Sequence, residues 1–171
     1  EIRGQRVEVR LNQLYALQEK YLTLEVEVDP TAAGRQRALA TVELAWNDLG
    51  SHRQERSRAA AAVEFSVRED EVDDAVVAEV MVSVSEQKAA VAAKEAVQLR
   101  DAGERDKAEA LLKDSAMELE QEARRYDSPA LRSLSKKAKV SSDSIKSDRD
   151  WSRNRKRLRS EQYKLERQQS Y

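Results

Sequence analysis

The chain has 171 residues, with 31 Lys and Arg against 32 Asp and Glu, one His and no Cys. Charged residues make up 37% and aromatics 5%, a surface-rich composition with a modest apolar reserve that fits one or two small domains. No run approaches the roughly 18 apolar residues of a membrane span, and the lack of Cys with a single His52 excludes disulfides, thiolate metal sites, cysteine nucleophiles and multi-His zinc sites.

Residues 1–68 read with period two, the signature of strands with one buried face. Val7 and Val9 alternate with Glu8 and Arg10. Leu22, Leu24, Val26 and Val28 alternate with Thr23, Glu25 and Glu27 until Asp29-Pro30 and Gly34 mark a turn. This is the most regular strand pattern in the chain. Ala38, Ala40, Val42, Leu44 and Trp46 share one face of the next run, which ends at Asn47 to Ser51. Ala59, Ala61, Val63, Phe65 and Val67 repeat the pattern. Four such strands suggest an antiparallel sheet that packs as a sandwich. An uncovered apolar sheet is an aggregation hazard, so its face needs helices or further strands.

After Glu69-Asp70 the period changes to about 3.6. Val72, Val76, Val80, Val84, Val91 and Leu99 lie near one stripe of a long helix expected to run to about Arg100. The acidic start suits the positive end of a helix dipole, and Gly103 suits its C-terminus. A second helix, about Glu104 to Arg125, carries Ala108, Leu111, Leu112, Ser115, Leu119 and Ala123 at helical spacing, so the two are expected as an antiparallel hairpin. Gln98 to Leu112 is similar to one tetratricopeptide-type hairpin, but such arrays need about three repeats. Asp127-Ser128-Pro129 reads as a cap with Pro at the first helical position, opening a third helix on Leu131, Leu134 and Ala138. The Ser-rich stretch Ser141 to Ser147 weakens that pattern. A polar last helix, about Asp150 to Gln169, has Trp151, Leu158, Tyr163 and Leu165 as its anchors.

The fold class expected is therefore α+β: an antiparallel sheet or partial sandwich over residues 1–68, then a helical hairpin and helical tail over 69–171. Charge is distributed unevenly along it. Residues 1–68 hold 10 basic and 10 acidic side chains, 69–126 hold 8 and 16, and 127–171 hold 13 and 6, giving 0, −8 and +7. Opposite fields favour folding of the basic tail along the acidic hairpin.

The basic run Arg153, Arg155, Lys156, Arg157 and Arg159 is the candidate site for an anion or a partner, since phosphate binding needs clustered cations. Few aromatics accompany it and the overall pI is about 6.1, which disfavours nucleic acid against a solvated or self-paired helix face. His52 reads as an exposed turn residue. No nucleophile and base can be paired, so no enzyme activity, catalytic residue or cofactor is expected. Asp143-Ser144-Ile145-Lys146-Ser147 misses an Asp-x-Ser-x-Ser metal loop by one position, and acidic pairs such as Asp73-Asp74 lack Gly-bearing loops, so no metal site is expected either.

The text Val7 to Tyr15 and Gln18 to Val28, with Glu79-Val80-Met81-Val82, Leu99 to Gly103, Arg124 to Ser128, Trp151 to Lys156 and the ending Gln162-Tyr163 to Tyr171, resembles the region after the metal-binding domain in bacterial von Willebrand factor A (VWA) proteins. The resemblance covers essentially the whole chain. It implies part of a β-sandwich with a helical C-terminal extension, a scaffold for a VWA head that grips protein ligands through a divalent metal. That head's Asp-x-Ser-x-Ser site is absent here, so no metal residue carries over. Partners implied are the preceding VWA domain and an unidentified protein ligand. A chain starting at Glu1 without Met reads as a fragment or a processed product, and the export signals that members of the family often carry imply an extracytoplasmic location. Some members are labelled chloride-channel homologues, a label that an absence of membrane spans does not suit. If the sandwich draws strands from before the VWA domain, the sheet here is incomplete. Its apolar face is then exposed, covered by a helix, or buried by self-association.

Overall fold

The computed structural model describes residues 2–3, 6–11, 13–15, 20–149 and 151–167. Its architecture is α+β, with antiparallel strands in the N-terminal part and helices in the C-terminal part. Two compact units divide it: Leu24–Val77, and a helical unit formed by Ala78–Tyr171 together with Glu1–Thr23.

In the first unit, β-strands Gln36–Asp48 and Arg53–Glu64 form a long antiparallel ribbon. These are named β3 and β4, because two-residue strands β1 (Ile2–Arg3) and β2 (Arg6–Val7) precede them in the other unit. The alternation read from the sequence sets the ribbon's faces. Ala40 opposes Ala61, Val42 opposes Ala59 and Leu44 opposes Ser57, so the small and apolar residues of both strands share one side. A bulge at Leu39 shifts the register, and Ala38 opposes Ala62 on the other side. Ala38 therefore leaves the face to which the alternation assigned it. At the far end, the Asp48 carboxylate accepts from the Gly50 amide at 3.0 Å and the Ser51 hydroxyl at 2.7 Å. His52 closes the turn at φ 57°, in the left-handed region that His tolerates better than most residues.

The other expected strands differ. Leu22–Val28 forms neither strand nor helix, and Leu22, Leu24 and Val26 are exposed. Alternation specifies a face but not a partner edge, and the described residues supply that segment with no edge. The sheet is thus a two-stranded ribbon rather than a four-stranded sandwich.

The single long helix also divides. α1 (Glu69–Asp74) ends at Ala75, and α2 (Ala78–Asp101) begins after Val76-Val77. Five carboxylates in six residues put like charges at i, i+4, Asp73 and Asp74 meet the negative end of the dipole, and two β-branched residues follow. The valine stripe consequently does not form a core: Val72, Val80 and Val91 are exposed. Instead α2 buries Ser85, Ala90, Ala96, Val97 and Arg100. Alanine lets neighbouring backbones approach closely, which is why a stripe chosen by side-chain size misses this face.

α3 (Arg105–Arg125) buries Ala108, Leu112, Ser115, Ala116, Leu119 and Ala123, close to the expected stripe. The α2–α3 link is a Schellman motif: the Glu104 amide donates to the Leu99 carbonyl at 2.9 Å and the Gly103 amide to Arg100 at 3.1 Å, with Gly103 at φ 86°. α3 ends similarly, with Asp127 at φ 44° and the Ser128 amide donating to the Ala123 carbonyl at 3.0 Å. Ser128 then caps α4 (Pro129–Ser144), its hydroxyl accepting from the Leu131 amide at 3.3 Å with Pro129 at the first helical position. The Ser-rich stretch does not end α4 early, because Ser141 and Ser144 hydroxyls donate back to the Lys137 and Val140 carbonyls.

α5 (Trp151–Arg167) packs on α2. The expected helix start at Asp150 and end at Gln169 lie outside the described residues. One core cluster joins α2, α3 and α5 through Ala96, Val97, Leu112, Ile145 and Leu158, and a second joins α3 and α4 through Leu119, Ala123 and Leu131. Tyr163, expected as an anchor of α5, is exposed.

Candidate functional site

Two surfaces answer to the sequence expectations, one in each unit. On the β3–β4 ribbon, Val42, Leu44 and Trp46 project from alternate positions of one strand and are 58%, 50% and 43% exposed. No described residue of the Leu24–Val77 unit is fully buried. A lone two-stranded ribbon is marginal in water, because ladder hydrogen bonds without a buried face barely offset the entropy of ordering the chain. The ribbon therefore presents three apolar side chains at alternate positions of β3 with no core of their own. Its opposite face is polar, with Arg58 against Glu43 at 3.8 Å.

The second surface is the basic run of α5. The structure separates these five cations. Arg155 donates to the Asp101 carboxylate from Nε at 2.9 Å and from a terminal nitrogen at 2.6 Å, and Arg159 reaches the same oxygen at 4.0 Å. Arg157 donates to the Ser141 hydroxyl at 3.2 Å. Arg153 and Lys156 are exposed. Part of the run thus ties α5 to the end of α2 and to α4. Lys137 with Glu161 at 2.9 Å adds a further α4–α5 link.

Sequence reasoning missed the strongest polar node. Arg100, in the last turn of α2, is only 6% exposed. Its Nε donates to the Ile145 carbonyl at 2.6 Å, a terminal nitrogen donates to Asp148 at 2.6 Å, and its guanidinium lies 5.0 Å from the Trp151 ring centroid. Arg105 takes the other side of Asp148 at 2.7 Å and 2.9 Å. Arg100 and Arg105 hold the Asp148 carboxyl below the usual carboxylate range. Beside it, Lys146 bridges Asp106 at 2.7 Å and Glu109 at 2.5 Å. Lys113 and Lys146 lower the Glu109 carboxyl to about 2, and Asp106 and Glu109 raise the Lys146 ammonium. A basic residue at a helix C-terminus was a visible signal. Its burial was not, because the partners lie 45 and 48 residues away.

These ion pairs are closed on themselves, so their chemistry is to fix the α4–α5 connection against the α2–α3 hairpin. His52 stands alone at the ribbon turn. Among the described residues, no three His, Asp or Glu side chains converge to hold a metal, and no helix is long and apolar enough to cross a membrane. In the helical unit, the Tyr21 hydroxyl donates to Glu86 on α2 at 2.9 Å, and partial burial followed by this carboxylate raises the phenol above its ordinary value.

No family model, curated protein or solved structure matches this chain.

Proposed function

We propose that this chain is a non-enzymatic structural and protein-interaction region of a VWA-type protein, scaffolding a metal-dependent VWA head. The observation that carries the reading is the ribbon: Val42, Leu44 and Trp46 form an exposed apolar face in a unit with no buried residue. Such a face gains stability by accepting strands or a packed surface from a neighbour. The helical unit supports the reading differently. Its helices carry two apolar clusters and a closed ion-pair node, the properties of a rigid mount rather than of a reactive cleft.

The alternative is a binder of nucleic acid or another anionic surface through α5. Arg153, Lys156, Arg157 and Arg159 are its exposed cations, of which Arg157 and Arg159 also contact Ser141 and Asp101, while Arg155 is half-buried against Asp101. It requires affinity that falls steeply with salt and is lost on Arg153→Ala with Lys156→Ala.

The test is size exclusion with light scattering of this chain mixed with a VWA domain from such a protein. A one-to-one complex that is lost on Leu44→Ser with Val42→Ser supports the scaffold reading. No complex, or one indifferent to those changes, refutes it.

A further inference from the structure

Between α2 and α3 runs a groove of about 260 Å³. Its floor is apolar, with Met81, Val84 and Ala92 of α2 half-buried along it. Those residues span 11 positions, so the floor is about 16 Å long, or three helical turns. One wall is acidic. Asp114, Glu118 and Glu122 follow one another at i, i+4 and i+8 on α3, which aligns their carboxylates along one edge. Lys88 is the cation among the lining residues.

These carboxylates differ from the others on α3, where Asp106, Glu109 and Glu120 are all ion-paired. Glu104, Glu109 and Glu120 pair with Lys107, Lys113 and Arg124 within α3 or its first turn. Asp114 and Glu118 have no ion pair among the described residues, and a buried Oε2 of Glu122 has no hydrogen-bond partner there. A buried carboxylate oxygen without a donor is costly, and an arriving ammonium or guanidinium removes that cost.

We infer that the α2–α3 groove is a docking site for a basic amphipathic helix of a protein partner. Three apolar side chains at i, i+3 or i+4 and i+7 fill the floor, and Lys or Arg on the flanking positions meet Asp114, Glu118 and Glu122. A helix fits because two packed helices present a groove whose ridges accept a third. A basic one fits because the wall is negative against a single Lys88. This inference rests on the protein-interaction reading above, but on a separate surface. Loss of groove binding with the VWA complex intact overturns the inference alone.

The test uses the full chain and a 14-residue peptide of Leu and Lys, with Leu at i, i+3, i+4 and i+7. Controls are its Leu and Glu counterpart and a scrambled Leu and Lys peptide. The chain has two methionines, Met81 in the groove and Met117 outside its lining, so methyl-labelled methionine NMR locates the peptide directly. The expected result is a shift of the Met81 methyl with Met117 unmoved, and affinity lowered at least about tenfold by Glu118→Lys. Glu95→Lys, the same charge change on α2 outside the groove, leaves affinity within about twofold. Glu118 and Glu95 are both exposed, and an unchanged circular dichroism spectrum verifies that the variants fold. Equal binding of the scrambled or Leu and Glu peptide, equal weakening by Glu95→Lys, or an unmoved Met81 methyl overturns the inference. A chain that is dimeric and becomes monomeric on Glu118→Lys overturns it too, since a second copy then fills the groove.

Discussion

Replacing Arg100 with Met removes the guanidinium while keeping a flexible apolar stem of similar length in its place. Arg100 is 6% exposed and donates at 2.6 Å to both the Ile145 carbonyl and Asp148, with Trp151 stacked at 5.0 Å. A hydrogen bond from a charged donor contributes about 1.5–3 kcal/mol, including the desolvated carbonyl left behind on its loss. The partly shielded cation–π contact adds about 1 kcal/mol. The Asp148 pair adds little, because Asp148 is largely exposed and keeps Arg105 at 2.7 Å. Arg100→Met is therefore expected to destabilise the helical unit by about 3 kcal/mol. At about 2–4 °C per kcal/mol for a chain of this size, the thermal midpoint falls by about 6–12 °C. Urea and thermal unfolding followed by circular dichroism at 222 nm measure it. Arg100→Lys keeps the charge but loses the fork, and is expected to fall between wild type and Met. A loss below about 1 kcal/mol for Arg100→Met refutes the assignment of this node as what holds the α4–α5 connection to α2.

Gly103→Ala places a Cβ in the left-handed region at φ 86° with nothing within 4 Å, so backbone strain alone is expected to cost about 1–2 kcal/mol in urea unfolding. Leu112→Ala, fully buried in the larger cluster, is expected to cost about 2–5 kcal/mol by the same assay. Glu109 titrates near 2 in the folded chain against about 4.5 when unpaired, so below pH 4.5 the unfolded state binds more protons. Its contribution is complete above pH 4.5 and is lost as the pH falls toward 2. Asp148, also lowered, acts in the same sense. The urea midpoint is expected to decline across that window, and Glu109→Gln to flatten the decline; an unchanged slope contradicts the pairing with Lys113 and Lys146. Val42→Ser with Leu44→Ser is expected to leave the helical unit's unfolding within about 0.5 kcal/mol of wild type, because those side chains lie in the other unit and are exposed.

Local chemistry made much of this legible in the sequence. Gly103 and Ser128-Pro129 fix their turns through their own backbone preferences, and both stand where expected. Leu112 and Leu119 fall on the buried stripe of α3 because helical spacing alone selects it. The ribbon alternation also survives in its register, apart from Ala38, which the Leu39 bulge turns to the opposite face. What depends on distant partners was not legible. Leu22–Val28 carries a strand pattern without an edge, and Arg100 finds its carbonyl 45 residues away. Val72 to Val84 misled because residue size outweighed closeness of approach, whereas α2 packs through Ala90 and Ala96. The basic run of α5 read as one patch, yet helical geometry sends Arg155 toward Asp101 and leaves Arg153 exposed.

If the β3–β4 ribbon docks a partner in place of a core of its own, its backbone opens readily until that partner covers it. Amide hydrogen exchange over residues 36–64, measured on this chain alone and again with a VWA domain added, tests it most directly. The expected result is rapid exchange alone, with protection far below that of α3, and a strong gain around Val42 to Trp46 on addition. Protection alone that equals that of α3, or no gain with the VWA domain present, contradicts it.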